Sequence, residues 1–489
     1  MKDIKWLGLW TGLGLCILIL VLPAPEGLST TGKNTAAITL LMTIWWISEA
    51  IPIFATAFVP LFAFPVLGIL TASDTAANYG HNYVLMLLGG FFLSKAIEIQ
   101  NLHKRLALYT IRKLGSSRPM LILSFMIASA FLSMWIANVA VALLMLPIAM
   151  AIVEKDEPMA STKRSFGLAL MLAIAYACSI GGTATLIGTP PNLIFSGIYE
   201  KLFPQSLPID FLTWLKIGFP VSVLFLPVIW FYLTRYYSVK GELEGSNDVI
   251  HQEIKSMGKM NRAEKSVLAI FIFTAFGWVF RKEIPLGSIT VPGWSNLLGI
   301  SDYVHDSTVA IAAALLLFAT PSHQNGQRLL NWKNAASVPW GVVMIVGGGY
   351  AIAEAFTSSG LAFWIADGMA FLSNYSTFII LVAIITIMIF LTEINSNTAT
   401  ANIFLPILAT MAIAGQNHPL LFMIPATFAC SFAFMLPSGT GTNAVIFASN
   451  RISIPEMAKA GFGLNLLGIV FLVSIMYFFV LPLFSKSLF

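Results

Sequence analysis

The chain has 489 residues, of which 57% are hydrophobic and only 10% charged, and its mean hydropathy is +0.84. Soluble domains carry roughly 25% charged residues, so soluble enzymes are excluded and a polytopic membrane protein is indicated. The net charge of +5 calls for no nucleic-acid partner, because cytoplasmic loops collect Lys and Arg in any case.

In chain order, Ile4 to Leu22 is an apolar stretch as long as a membrane-crossing helix, ended by Pro23, Pro25 and Gly27. No small-residue cleavage site follows it, so residues 1–34 are assigned to an N-terminal transmembrane helix and its exit rather than to a signal peptide. Helices are predicted over 36–50 and 53–70, separated by Pro52, and over 83–98. Glu49 is expected to make a loop contact, and Lys95 and Glu98 to snorkel towards the interface. The amphipathic basic stretch from Asn101 to Leu114 reads as an interfacial helix on the cytoplasmic surface.

Residues 119–153 are apolar but broken around Asn138. Each arm, about 15 residues, falls short of the roughly 20 that a crossing needs. Basic groups, Arg118 and Lys155, flank both ends, which places both ends on one side and describes a re-entrant hairpin with Asn138 at its tip. A helix over 165–187 is broken at GTPPN and resumes over 193–202, and 211–232 closes a first repeat spanning 35–235. Residues 236–265 form the one long polar segment, a cytoplasmic linker. The second repeat, 266–489, contains helices over 266–280, 307–320 and 340–356, a hairpin over 378–414, a helix over 420–449 broken at SGTGTN, and a last helix over 457–483.

The second hairpin holds the most informative stretch, LTEINSNTATANIFLP, Leu391 to Pro406. It places Thr392, Glu393, Asn395, Ser396, Asn397, Thr398 and Thr400 in one of the most apolar regions of the chain. Unpartnered polar groups in hydrocarbon cost several kcal/mol each, roughly, so the stretch predicts irregular backbone wrapped around a polar ligand. Leu132 to Pro147 is its twin, with Asn138 in the place of Asn397 and the same closing Leu-Pro step. MLLGG at Met86 pairs with MIVGG at Met344, YACSIGG at Tyr176 with FACSFAF at Phe428, and GTPPNLIF at Gly188 with GTGTNAVIF at Gly439, in the same order and at near-constant spacing. Most Lys and Arg fall inside if the amino terminus is cytoplasmic, which puts the carboxyl terminus outside and gives the halves inverted topology. The fold class is therefore an all-α polytopic membrane protein, an inverted-repeat transporter with about 11 transmembrane helices and two re-entrant hairpins, its binding site near the midplane.

The four motifs contain no Lys or Arg. An anion there is held by amides, hydroxyls and helix dipoles, with bound cations balancing its charge. Gly181, Gly182, Gly188, Gly439 and Gly441 let backbone approach closely, and Asn138, Asn192, Asn397 and Asn443 supply paired donors and acceptors. Glu393 is either a functional group or a brace for the hairpin tip. Cys178 and Cys430, at matching repeat positions, read as small buried residues at helix contacts and not as redox groups.

At these residues, Ser396–Asn397–Thr398 preceded by FLTE, GTPPN and LPSGTGTN, the sequence resembles the divalent anion:sodium symporter (DASS) family, of the Na⁺/dicarboxylate symporter type, over nearly the whole chain. The resemblance implies a homodimer in the cell (inner) membrane, surrounded by lipid, with an elevator-type motion. Ser133, Ala137, Asn138 and Gly188 would hold one sodium ion, and Thr392, Asn395, Asn397 and Gly439 a second. Asn138, Val139, Pro190, Ser396, Asn397, Thr398 and Thr440 would line the substrate seat. Sodium is then the coupling ion, and no organic cofactor is implied. One departure stands out. Where the family has a first Ser-Asn-Thr, this chain has Ala137–Asn138–Val139, so two hydroxyls are missing from the first carboxylate subsite.

The function expected is sodium-coupled uptake of a small divalent anion, a C4 dicarboxylate such as succinate. A sulfate or tricarboxylate cargo and a sodium-independent dicarboxylate exchanger remain as alternatives. No basic residue replaces the sodium-site positions, which favours symport over exchange. An intramembrane enzyme would need HExxH, GxSxG or paired Asp, and a primary pump a Walker A motif; the sequence has none of these.

Overall fold

Proline, glycine and buried polar side chains decide where the helices of this chain stop. The computed structural model describes residues 2–113, 117–156, 165–242, 246–286, 289–322 and 326–480. Helices α1 (Lys2–Val21), α2 (Thr30–Ser48), α3 (Ile53–Thr56), α4 (Val59–Val66), α5 (Ala72–Tyr79), α6 (Asn82–Ile99) and α7 (Leu102–Arg112) lead into α8 (Arg118–Ser133) and α9 (Asn138–Asp156). Then come α10 (Ser165–Gly182), α11 (Pro190–Leu202), α12 (Phe211–Tyr236) and α13 (Ser246–Met257). The second half holds α14 (Arg262–Val279), α15 (Trp294–Leu297), α16 (Asp306–Ala319), α17 (Trp332–Ala335), α18 (Trp340–Ser358), α19 (Leu361–Gly368), α20 (Thr377–Ile394), α21 (Asn397–Ala414), α22 (Leu420–Ala429), α23 (Gly441–Phe447) and α24 (Ile454–Ile475). Within the polar stretch before Asp306, strands β1 (Ile284–Leu286) and β2 (Ile289–Val291) pair antiparallel. The expected ends at Leu114 and Leu483 lie outside the described residues.

Among the described residues, eight helices are long and apolar enough to cross a membrane by length and composition, and shorter apolar helices such as α8, α16 and α22 pack with them. Helix α2 starts earlier than the expected Ala36. Ser29 caps its first turn by accepting from Gly32 N–H at 2.8 Å, and Lys33 is buried with its ammonium on the carbonyls of Leu20 and Leu22 at 2.8 and 2.7 Å. A polar tract that read as a loop thus closes the end of α1, whose last carbonyls lack helical partners.

Both hairpins fold back: the arms of the first, α8 and α9, run 16 and 19 residues where about 15 were expected, and those of the second, α20 and α21, run 18 residues each, or about 27 Å. The second hairpin's outer ends meet where Thr377 Oγ1 donates to Asn417 Oδ1 at 2.7 Å. In the first, Arg118 N–H donates to Gly241 O at 3.0 Å at the start of α8, and α9 touches α13, so both arms end beside the linker.

Helix α10 is buried along almost its whole length and crosses α8 closely. A Cβ on Gly181 would lie 2.3 Å from Ala130 O, so only glycine permits this approach. The linker is docked, not loose. Arg105, on the face of α7 that the sequence suggested would lie on a membrane surface, is buried against Glu264 at 3.1 Å and donates to Gly258 O and Met257 O. Lys104 pairs with Glu253 of α13 at 2.8 Å. Glu49 pairs with Lys5 at 2.9 Å, and Lys95 with Glu98 at 2.9 Å.

Candidate functional site

Four interruptions in helical backbone meet at one place. In the first hairpin, α8 ends at Ser133 and α9 opens at Asn138, whose Oδ1 accepts from Ser133 Oγ at 2.9 Å. In the second, α20 ends at Ile394, Asn395 is extended, and α21 opens at Asn397. Asn397 Oδ1 lies 2.7 Å from Thr392 Oγ1, which also reaches Cys430 O at 2.8 Å. Asn395 Oδ1 accepts from Ser396 N–H at 2.9 Å.

The two broken helices are spliced alike. Between α10 and α11, Asn192 Nδ2 donates to Gly182 O at 3.1 Å and Thr185 O at 2.7 Å. Between α22 and α23, Asn443 Nδ2 donates to Ala433 O and Leu436 O, both at 3.0 Å. Gly188 passes so near the end of α10 that a Cβ would lie 2.4 Å from Gly182 O. Glu393 is a brace: its buried carboxylate accepts from the N–H groups of Phe434, Met435 and Leu436 and from Asn465 Nδ2 at 2.8 Å. It thereby ties the second hairpin to the unwound backbone after α22.

Together the tips and breaks enclose a cavity of about 380 Å³. Ala137, Asn138, Val139, Gly188, Pro190, Ser396, Asn397, Thr398, Gly439 and Thr440, all singled out from the sequence, lie in its wall. Ser133, Thr392 and Asn395 do not; all three are buried behind it, where they orient the tip asparagines and Ser396. Thr189, Ser438 and Gly441 belong to motifs already singled out, whereas Phe91, Ile187, Pro339 and Val342 were missed. Apolar side chains in an apolar chain carry no sequence signal of a cavity.

Every lining side chain is uncharged. Positive potential comes instead from backbone, because α9 and α21 open at the cavity with their N-termini at Asn138 and Asn397; α11 also opens there, but with Pro190 and Pro191, which carry no N–H. Ser396 caps α21 without a side-chain capping bond, which leaves its hydroxyl available to a guest. The hydroxyls are unevenly shared: Ser396, Thr398, Ser438 and Thr440 from the second half, only Thr189 from the first. The apolar part of the wall is made by Val139, Ile187, Phe91 and Val342. Amide and carbonyl oxygens suit a hard monovalent cation, and hydroxyls with helix N-termini suit a carboxylate.

Residues 3–485 match a protein-family model described as "Sodium:sulfate symporter transmembrane region". A sodium-dependent dicarboxylate transporter, SdcS, of Staphylococcus saprophyticus is 40% identical over 486 residues, covering 97% of this chain and 91% of that protein. The SdcS of Staphylococcus aureus strain MW2 is 39% identical over 488 residues, covering 98% and 91%. Among solved structures, MtrF of Neisseria gonorrhoeae, described as illuminating a class of antimetabolite efflux pumps, superposes with a TM-score of 0.59 at 12% identity over 98% of this chain and 97% of its own. The YdaH transporter of Alcanivorax borkumensis gives 0.53 at 12% identity over the same shares. At such identity the likeness concerns the fold alone.

Proposed function

The chain belongs to the sodium:sulfate symporter transmembrane family, and from that premise we propose that it couples sodium entry to uptake of a small divalent anion, a C4 dicarboxylate such as succinate. It is a transporter and not an enzyme. The observation that carries the reading is the uncharged cavity ringed by both hairpin tips and both helix breaks.

Sodium binds first. Ser133 and Thr392 hold the side chains of Asn138 and Asn397 so that amide oxygens, with backbone carbonyls near Ala137, Gly188, Asn395 and Gly439, replace the ions' water. The dianion then enters a pocket whose positive charge is supplied by those ions and by helix N-termini. Its better-held carboxylate lies on Ser396, Asn397, Thr398 and Thr440, and its other end lies by Asn138, Val139 and Pro190. Without sodium the pocket binds the anion poorly, and this is the coupling.

Alternating access follows an elevator path. The hairpins and broken helices travel as one body past α18, in a homodimer within the cell membrane, with the amino terminus cytoplasmic and the carboxyl terminus outside. In the present arrangement α11 is fastened to α18 by Lys201–Glu354 at 2.9 Å and by Tyr350 Oη on Leu193 O at 2.6 Å.

The test is uptake of labelled succinate into proteoliposomes, with citrate and sulfate as competing labels. Succinate uptake is expected to collapse when choline replaces sodium. Undiminished uptake in choline, stimulated by internal dicarboxylate, would replace symport with exchange, and preferential sulfate uptake would change the cargo.

A further inference from the structure

We propose that a second pocket, at the end of α12 and separate from the cavity, binds the head group of an anionic phospholipid. It has a volume of about 480 Å³ and is lined by Pro119, Trp230, Phe231, Arg235, Ser238 and Lys240, among others.

The membrane interface passes through this place. Helix α12 is a mostly apolar helix of 26 residues whose last turns and cap carry Trp230, Tyr232, Tyr236 and Tyr237, the aromatic residues that settle at head-group depth. Trp230, Phe231 and Pro119 give the pocket an apolar floor, and Arg235 and Lys240 give it a basic rim. Both basic side chains are exposed, and neither forms an ion pair among the described residues. The Arg235 guanidinium lies over the Phe231 ring, 5.2 Å from its centroid.

Two carbonyls at the helix end are satisfied by the chain that follows. Ser238 takes a left-handed conformation (φ 50°), and Val239 N–H and Ser238 N–H turn back onto Thr234 O and Arg235 O at 2.9 and 3.1 Å. The reversed chain is held by Arg118, which donates to Lys240 O at 3.0 Å from the amino-terminal end of α8. Among the described residues of this segment the acidic one is Glu242, bridged through its backbone to Ser117. A soluble phosphate would use only the rim. A lipid uses rim and floor together, as basic pockets facing the cytoplasmic leaflet do. The pocket also touches the transport machinery, because Trp230 Nε1 donates to Pro119 O at 2.8 Å, at the root of the first hairpin.

Native mass spectrometry of the full-length protein tests the assignment, with phosphatidylglycerol and phosphatidylcholine of matched acyl chains and with glycerol 1-phosphate. Phosphatidylglycerol should be retained about tenfold better than phosphatidylcholine, and Arg235→Gln with Lys240→Gln should abolish the difference. Lys240→Gln alone, on an exposed side chain, should reduce it, and Lys259→Gln should leave it intact. Equal retention of the two lipids, an undiminished preference in the double variant, or displacement of phosphatidylglycerol by glycerol 1-phosphate would each overturn the proposal.

Discussion

Asn138 and Asn397 open their helices in the same way: each side-chain oxygen accepts from a hydroxyl five residues upstream, Ser133 at 2.9 Å and Thr392 at 2.7 Å, and each side chain lies in the wall of one shared cavity. The hydroxyls themselves stand behind the wall. Their part is to fix which way an amide oxygen points.

Ser133→Ala and Thr392→Ala should therefore weaken sodium more than substrate. A single hydrogen bond is worth about 1 kcal/mol, so the sodium concentration for half-maximal uptake should rise about fivefold in each. Thr392→Ser should restore it. Unchanged sodium dependence in both alanine variants would show that the tip amides need no such guide.

Val139 exposes 41% of its surface, and it stands where the family resemblance expects a threonine. Val139→Thr with Ala137→Ser adds two hydroxyls to the poorly furnished end of the cavity. A hydrogen bond to a charged group is worth about 1.5–3 kcal/mol, so the KM for succinate should fall by tenfold or more, roughly. An equal or higher KM would refute the asymmetry argued for the two ends.

Glu393→Ala removes the acceptor for three backbone N–H groups and for Asn465. Buried donors left unpaired cost about 1–3 kcal/mol each. Thermal unfolding of the purified variant should come many degrees earlier than wild type, and Glu393→Gln should fall between. A wild-type melting curve for the alanine variant would show that the brace is dispensable.

Arg105 and Glu264 are both buried, and losing one partner of such a pair costs about 3–5 kcal/mol. Arg105→Ala should free the linker, seen as faster proteolysis within α13 and a lower melting temperature. Lys104→Ala, which breaks a more exposed pair, should change either by little.

If the cavity is carried past α18, the Lys201–Glu354 contact must open in each cycle. Lys201→Cys with Glu354→Cys, joined by a short bis-maleimide, should bind succinate yet move none across the membrane. The unlinked double variant should still transport. Transport by the linked protein would mean that α11 and α18 stay together.

How much of this was legible in the sequence follows from what a polar residue costs in hydrocarbon. Asn138, Asn397 and the GTPPN and SGTGTN breaks stood out because nothing but a ligand or a splice excuses them there. Phe91, Pro339 and Val342 did not, since a cavity wall and a helix contact select the same apolar side chains. The burial of Arg105 against Glu264 was not legible, because the periodicity that lays a helix on a membrane also lays it on a neighbouring helix. Glu393 could be read two ways until its donors were located, and these are backbone amides that no sequence pattern marks.

Val139, at the tip of the first hairpin, presses so closely on Gly441 that a Cβ there would meet its methyl group at 2.5 Å; Tyr176 Oη donates to Phe434 O at 2.7 Å, and Ser179 meets Thr442 at 3.0 Å. The two halves of the chain are thus stitched to each other around the cavity, one lending the other its floor. Produced as separate chains, neither would have a complete cavity to offer.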